Sequence, residues 1–123
     1  VVQIMNLNDS KPGEKYDFII DRTTVLGNPF IMEKGSQQSS TSAERDRVCD
    51  EYAALFGKLV DPCAPVPLDM VHCYNTATRR RVLDMLATMV GALREYGIVR
   101  LFCWCAPRRC HGETIRDYLL NSV

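Results

Sequence analysis

The chain has 123 residues, 46% of them hydrophobic and 24% charged, a balance that excludes a disordered tail and suits one domain over residues 1–123. Its 15 basic and 15 acidic residues cancel, which argues against a general electrostatic grip on nucleic acid. No apolar run approaches the roughly 20 residues of a membrane span, and Val1-Val2-Gln3-Ile4 lacks the charged and apolar regions of a secretion signal. The expectation is a cytoplasmic protein without membrane or nucleic-acid partners, for which a homo-oligomer is compatible.

Residues 1–5 form a short apolar run of strand length, ended by Asn6, Asn8, Asp9, Ser10 and Pro12-Gly13. A second run at 16–21 is rich in β-formers. After Arg22 the chain enters a loop, in which Pro29 offers no N–H and holds Asn28 extended. Residues 33–42 are polar and rich in Ser and Gln, which predicts a mobile connection. Thr41-Ser-Ala-Glu44 matches a capping box, and beyond it Val48, Tyr52, Leu55, Phe56 and Leu59 share one helical face. The proline-rich stretch 61–67 stops that helix.

A second helix starts near Thr76 or Thr78, with Val82, Met85, Leu86, Met89, Val90 and Leu93 on its apolar face and Gly97 just past its end. Residues 98–105 then read as a central strand. A last helix runs from Cys110 or His111 to Leu120, turning Ile115, Tyr118 and Leu119 inward. This order predicts an α/β fold, a small Rossmann-like sandwich with a short, at least partly parallel sheet flanked by helices. Ligands of such sheets bind beyond the carboxyl ends of the strands. The loop 27–30 and the turn 105–112, each following a predicted strand, are therefore expected to converge on one pocket.

The chemistry-bearing residues concentrate in Cys103-Trp-Cys-Ala-Pro-Arg-Arg-Cys-His-Gly112. A core this rich needs no disulfide framework, so the six cysteines are expected to be mostly free thiols. On an extended strand Cys103 and Cys105 would stand about 6.6 Å apart, too far for one zinc unless the strand breaks at Cys105. No metal or other cofactor is therefore expected; if a zinc is present, Cys105, Cys110 and His111 are its ligands. Cys103 reads as a buried strand residue. A helix N-terminus at Cys110, His111 and Gly112 presents N–H groups and partial positive charge, and Arg108 and Arg109 add cations. The same field makes the Cys110 thiolate more available. A phosphate-bearing small molecule is the partner this predicts, with His111 and Cys110 as the catalytic candidates.

Arg22 followed by Leu26-Gly-Asn-Pro-Phe30, a helix carrying Tyr52, and Cys103-Trp-Cys-Ala-Pro with Cys110-His-Gly112 resemble the bacterial and phage family called domain of unknown function 4326. One departure is Ile20-Asp21-Arg22, where the family usually has Ile-Gly-Arg; Asp21 is expected to narrow or alter that side of the site. The resemblance implies a small Rossmann-type protein, likened to a nucleotide-processing group that includes cytokinin-activating phosphoribohydrolases. It carries Arg22, Gly27, Asn28, Pro29, Cys105, Cys110, His111 and Gly112 over as site residues. Phage members imply a role in phage–host conflict, in the host cytoplasm.

Other residues receive plainer readings. His72, in a mostly apolar stretch, is expected to be a satisfied structural histidine, Arg79-Arg80-Arg81 a solvated face, and Trp104 part of the core on the side opposite Cys103 and Cys105. Glu113 compensates a helix dipole. There is no Walker loop, G-x-G-x-x-G, H-E-x-x-H, G-x-S-x-G or zinc-deaminase pattern. The first functional reading is a nucleotide- or nucleoside-binding protein acting on a glycosidic or phosphoryl bond. Its rivals are a zinc-stabilised module that binds a host protein or nucleic acid, and a protein that sequesters a nucleotide signal without turnover.

Overall fold

The computed structural model describes residues 1–30, 42–61, 63–106 and 108–123. Thr41 of the expected capping box and most of the polar run 33–42 lie outside the described residues, as do Pro62 and Pro107. The strands are β1 (Val2–Asn6), β2 (Asp17–Ile19) and β3 (Val99–Cys103); the helices are α1 (Ser42–Leu59), α2 (Thr76–Tyr96) and α3 (Gly112–Asn121). A 3-10 turn, Leu68–Met70, lies between α1 and α2.

The three strands form one parallel sheet in the order β1-β3-β2. Val99, Leu101 and Cys103 are fully or almost fully buried and join the helix-side core. Phe102, also fully buried, points to the other face by strand alternation, and the Arg100 guanidinium lies over its ring. Because β1 and β2 run the same way on either side of β3, segment 7–16 has to return from the carboxyl end of one to the amino end of the other.

The helices follow the expected periodicity. Val48, Tyr52, Leu55, Phe56 and Leu59 of α1 are buried, as are Val82, Leu86, Met89 and Leu93 of α2 and Ile115 and Leu119 of α3. Asn75 caps α2 by accepting the Thr78 N–H at 2.9 Å, and Gly97, at φ 73°, ends it in the left-handed conformation that glycine adopts without a Cβ clash. Arg79 has a structural task rather than a solvated one. Its guanidinium donates to the Leu59 carbonyl at 3.2 Å, to that of Lys58 at 2.9 Å, and to that of Asp61, closing the carbonyl end of α1. His72, expected to be a satisfied structural histidine, is exposed.

β3 is shorter than the 98–105 strand predicted, ending at Cys103. Asn6, at the end of β1, explains this: its side-chain amide donates to the carbonyls of Trp104 at 3.4 Å and Ala106 at 2.5 Å. The chain is drawn into a turn, closed by the Arg108 N–H on the Cys105 carbonyl at 2.9 Å.

On the far edge, Arg100 grips Asp17 through two bonds of 2.6 and 2.7 Å. Burial pulls the Asp17 carboxyl upward, but Arg100 and the N–H groups of Gly13 and Glu14 outweigh it and hold the pKa below its ordinary value. A depressed carboxyl stabilises the fold fully above the unfolded-state pKa of about 3.9 and loses that contribution as pH falls through the lower folded value. Asp17→Asn should therefore lower the melting temperature at pH 7. In thermal melts its gap to the wild type should close as pH is taken below about 4.

Candidate functional site

The segment from Asp21 to Asn28 and the turn after β3 meet beyond the carboxyl ends of the neighbouring strands β2 and β3; of the two loops expected to converge, Asn28, Cys105 and His111 do so. A cavity of about 260 Å³ is lined by Asp21, Arg22, Thr23 and Asn28 from the first loop, by Cys103, Trp104 and Cys105 from the second, and by His111.

The first loop is held rigidly. Asn28, almost fully buried, donates to the Val48 carbonyl at 3.0 Å and accepts the Phe30 N–H at 2.9 Å. Arg22 clasps the same segment, donating to the Asn28 and Phe30 carbonyls at 3.0 and 3.1 Å. Tyr52 of α1 donates its hydroxyl to the Leu26 carbonyl at 2.9 Å. A Cβ on Gly27 would collide with the Asp21 carbonyl oxygen and lie 2.6 Å from Arg22 Cα. Gly27 and Pro29 themselves line a separate hollow with Cys73, Tyr74 and Thr78, which meets the first cavity at Arg22 and Asn28.

Asp21 places a carboxylate on the cavity wall. Oδ1 accepts the Thr23 N–H at 2.9 Å and also bonds the Thr23 hydroxyl; Oδ2 accepts the Trp104 indole N–H at 3.0 Å. Burial pulls this carboxyl up, yet the hydrogen bonds from Thr23 and Trp104 outweigh it, so Asp21 is ionised at neutral pH. Trp104 was expected in the core; instead it is 38% exposed, because the turn after Cys103 breaks the strand alternation. Its ring is pinned at the cavity by Asp21.

His111 is 4% exposed. Its Nε2 donates to the Ile20 carbonyl at 2.6 Å, which fixes the tautomer and leaves Nδ1, 3.6 Å from Cys110 Sγ, with its lone pair. Burial pushes the imidazole pKa down, against the Ile20 carbonyl, so the ring is neutral. Tyr52 meets it edge-on at 4.9 Å between ring centroids.

Beneath the cavity lies a cluster of thiols. The Sγ atoms of Cys103, Cys105 and Cys110 all lie within 4.8 Å of one another, and all three residues are buried. The Cys110 thiol donates to Cys103 Sγ at 3.0 Å, and the Gly112 N–H donates to Cys110 Sγ at 3.3 Å. Hydrogen bonds from Cys103 and Cys110, with Arg45 adding to them against burial, hold Cys105 far below the ordinary thiol range. The same contacts push Cys110 far up and Cys103 up. All six cysteines are free thiols.

The other expected site residues are placed differently. Cys110 is buried under the cavity rather than lining it. Gly112 packs against the sheet: a Cβ there would lie 2.9 Å from Ile20 Cδ1 and 3.6 Å from Ile4 Cδ1. The Arg109 guanidinium pairs with Asp46 at 3.1 Å and Asp50 at 2.7 Å, on α1. Arg108 has an exposed side chain. Glu113 accepts the Cys110 N–H at 3.2 Å, covering one donor at the start of α3.

One residue escaped the sequence reading. Arg45, 4% exposed, donates to the Arg109 carbonyl at 3.4 Å and lies against Cys105. Among the described residues, its second terminal nitrogen is the one buried side-chain polar atom without a partner. The signal was present: Arg45 falls three residues before Val48 on the apolar stripe of α1, where a charge is out of place.

The chain matches, over residues 5–121, the family model described as "Domain of unknown function (DUF4326)". No curated protein and no solved structure matches it.

The two glycines make a paired test. Gly27→Ala drives a Cβ into backbone, whereas Gly112→Ala meets the movable end of Ile20. In chemical denaturation Gly112→Ala should cost about 1 kcal/mol and Gly27→Ala about 3 kcal/mol or more.

Proposed function

The chain belongs to the DUF4326 family, and we propose that its cavity binds a nucleoside or nucleotide and acts on the glycosidic bond. The observation that carries this reading is the Asp21–Trp104 pair beyond the carboxyl ends of two adjacent parallel strands. Such ends are where open α/β sheets bind ligands. The indole N–H is occupied by Asp21, so the ring offers a fixed face for a base to stack on. Asp21 Oδ2 keeps lone-pair capacity for a sugar hydroxyl. A cavity of about 260 Å³ suits a nucleoside or mononucleotide better than a dinucleotide.

Of the two bonds expected to react, the glycosidic one fits these residues better. Phosphoryl transfer is catalysed by a dense clamp of positive charge, and Arg22, the one arginine lining the cavity, already donates to two carbonyls. Cleavage of an N-glycosidic bond builds positive charge on the sugar ring, which a nearby carboxylate stabilises. Asp21 is ionised for that task. In the hydrolytic form water oxygen bonds to the anomeric carbon, the carbon–nitrogen bond breaks, and the departing base takes a proton. The neutral His111 ring, anchored on the Ile20 carbonyl, completes the wall.

The test is a panel of nucleosides, nucleoside monophosphates and sugar phosphates, read by calorimetry and by mass spectrometry of released base. Trp104→Ala should weaken binding by about 1–3 kcal/mol, the range for a base on an aromatic ring. Asp21→Asn should stop base release while leaving stacking intact. Binding without base release would make the protein a sequestering one. If no member binds, or if both variants bind as the wild type does, the reading is wrong.

A further inference from the structure

We infer that Cys103, Cys105 and Cys110 bind one zinc-class ion in the floor of the cavity. The separation of about 6.6 Å between Cys103 and Cys105 that would exclude a shared zinc rests on the assumption that the strand continues through Cys105. With β3 ended at Cys103 by the Asn6 side chain, the assumption lapses. Zinc–thiolate bonds of about 2.3 Å set the sulfurs of a tetrahedral site about 3.8 Å apart. The observed separations bracket that figure, from 3.0 Å between Cys103 and Cys110 to an upper bound of 4.8 Å. The ligand set therefore differs from the one legible in sequence: Cys103 enters it, while His111 stands outside the mutually close group with Nε2 committed to Ile20.

The surroundings are those of a metal–thiolate site. The Gly112 N–H, in the first turn of α3, points at Cys110 Sγ. Arg45 lies against Cys105 from α1, and its second terminal nitrogen is buried without a partner. Three thiolates and a divalent ion carry one net negative charge, and a buried guanidinium beside them neutralises it. Soft thiolate donors select zinc over the hard cations. Cys103 and Cys105 also line the cavity, so the ion forms part of its wall. Three protein ligands leave one position for water or a bound molecule.

Protein purified under reductant with zinc present should hold one ion per chain, and cobalt should replace it with strong sulfur-to-cobalt charge-transfer absorption. Cys105→Ser and Cys110→Ser should lose the ion, while Cys63→Ser and Cys73→Ser, at exposed thiols, should keep it. Arg45→Met should weaken affinity about tenfold to a hundredfold, as outer-shell losses do. Should the cluster variants fail to fold, alkylation of the wild type decides: chelation should raise labelling at Cys103, Cys105 and Cys110. No ion with no cobalt band, a band that survives in Cys105→Ser and Cys110→Ser, labelling indifferent to chelator, or a disulfide joining Cys103 to Cys110 under reductant would each overturn the assignment. None of these readouts involves a nucleoside, so the metal site and the nucleoside site stand or fall separately.

Discussion

The carbonyl of Ile20 sits just past the end of β2, buried, where the ladder has already taken its N–H: Ile20 donates to Phe102 at 2.9 Å. Leaving such a group unpaired costs about 1–3 kcal/mol. His111 fills it at 2.6 Å, and this one bond draws the start of α3 against the end of β2. Tyr52 then locks the arrangement from α1, its ring against His111 and its hydroxyl on the Leu26 carbonyl. Two chain segments separated by most of the sequence are thereby joined by one imidazole and one phenol. Gly112 follows from the same constraint, since the Ile20 side chain occupies the place where a Cβ would stand.

Much of this was legible in the sequence where the determining physics is local. The apolar periodicity of α1, α2 and α3 marked their buried faces, and Gly97 marked a helix end because a left-handed residue favours glycine. A strand, two helices and another strand imply a parallel pairing, which β2 and β3 make. The residues around Arg22–Asn28 and Cys103–His111 stood out as two groups, and a parallel sheet brings the carboxyl ends of its strands to one side. Cavity walls from both groups follow from topology alone.

What was not legible depends on partners far along the chain. Strand alternation sends Trp104 inward only while the strand lasts, and its end is set by Asn6, on another strand. Arg109 looked like a cation for a ligand, but Asp46 and Asp50, one helical turn apart on α1, take it up. Arg79 looked like part of a solvated face at the start of α2 until the carbonyl end of α1 arrived beside it. Arg45 was hidden for the opposite reason: a single arginine in a charged helix draws no notice unless the stripe it interrupts is drawn first.

The strand order carries a consequence for the birth of the molecule. β1 and β2 never touch as partners; each pairs only with β3, so that Val2 waits for Val99 and Asp17 for Arg100. During synthesis no ladder can close until β3 has left the ribosome, by which time α1 and α2 have long been made. Early compaction must therefore be helical, with Val2 and Ile4 uncovered beside the incomplete core they later join. Pairings of such sequence separation slow folding, because loop entropy is lost before any bond repays it. The nascent chain thus carries two unpaired strands until β3 emerges, and a holdase or rapid elongation through α2 and β3 would guard it from self-association.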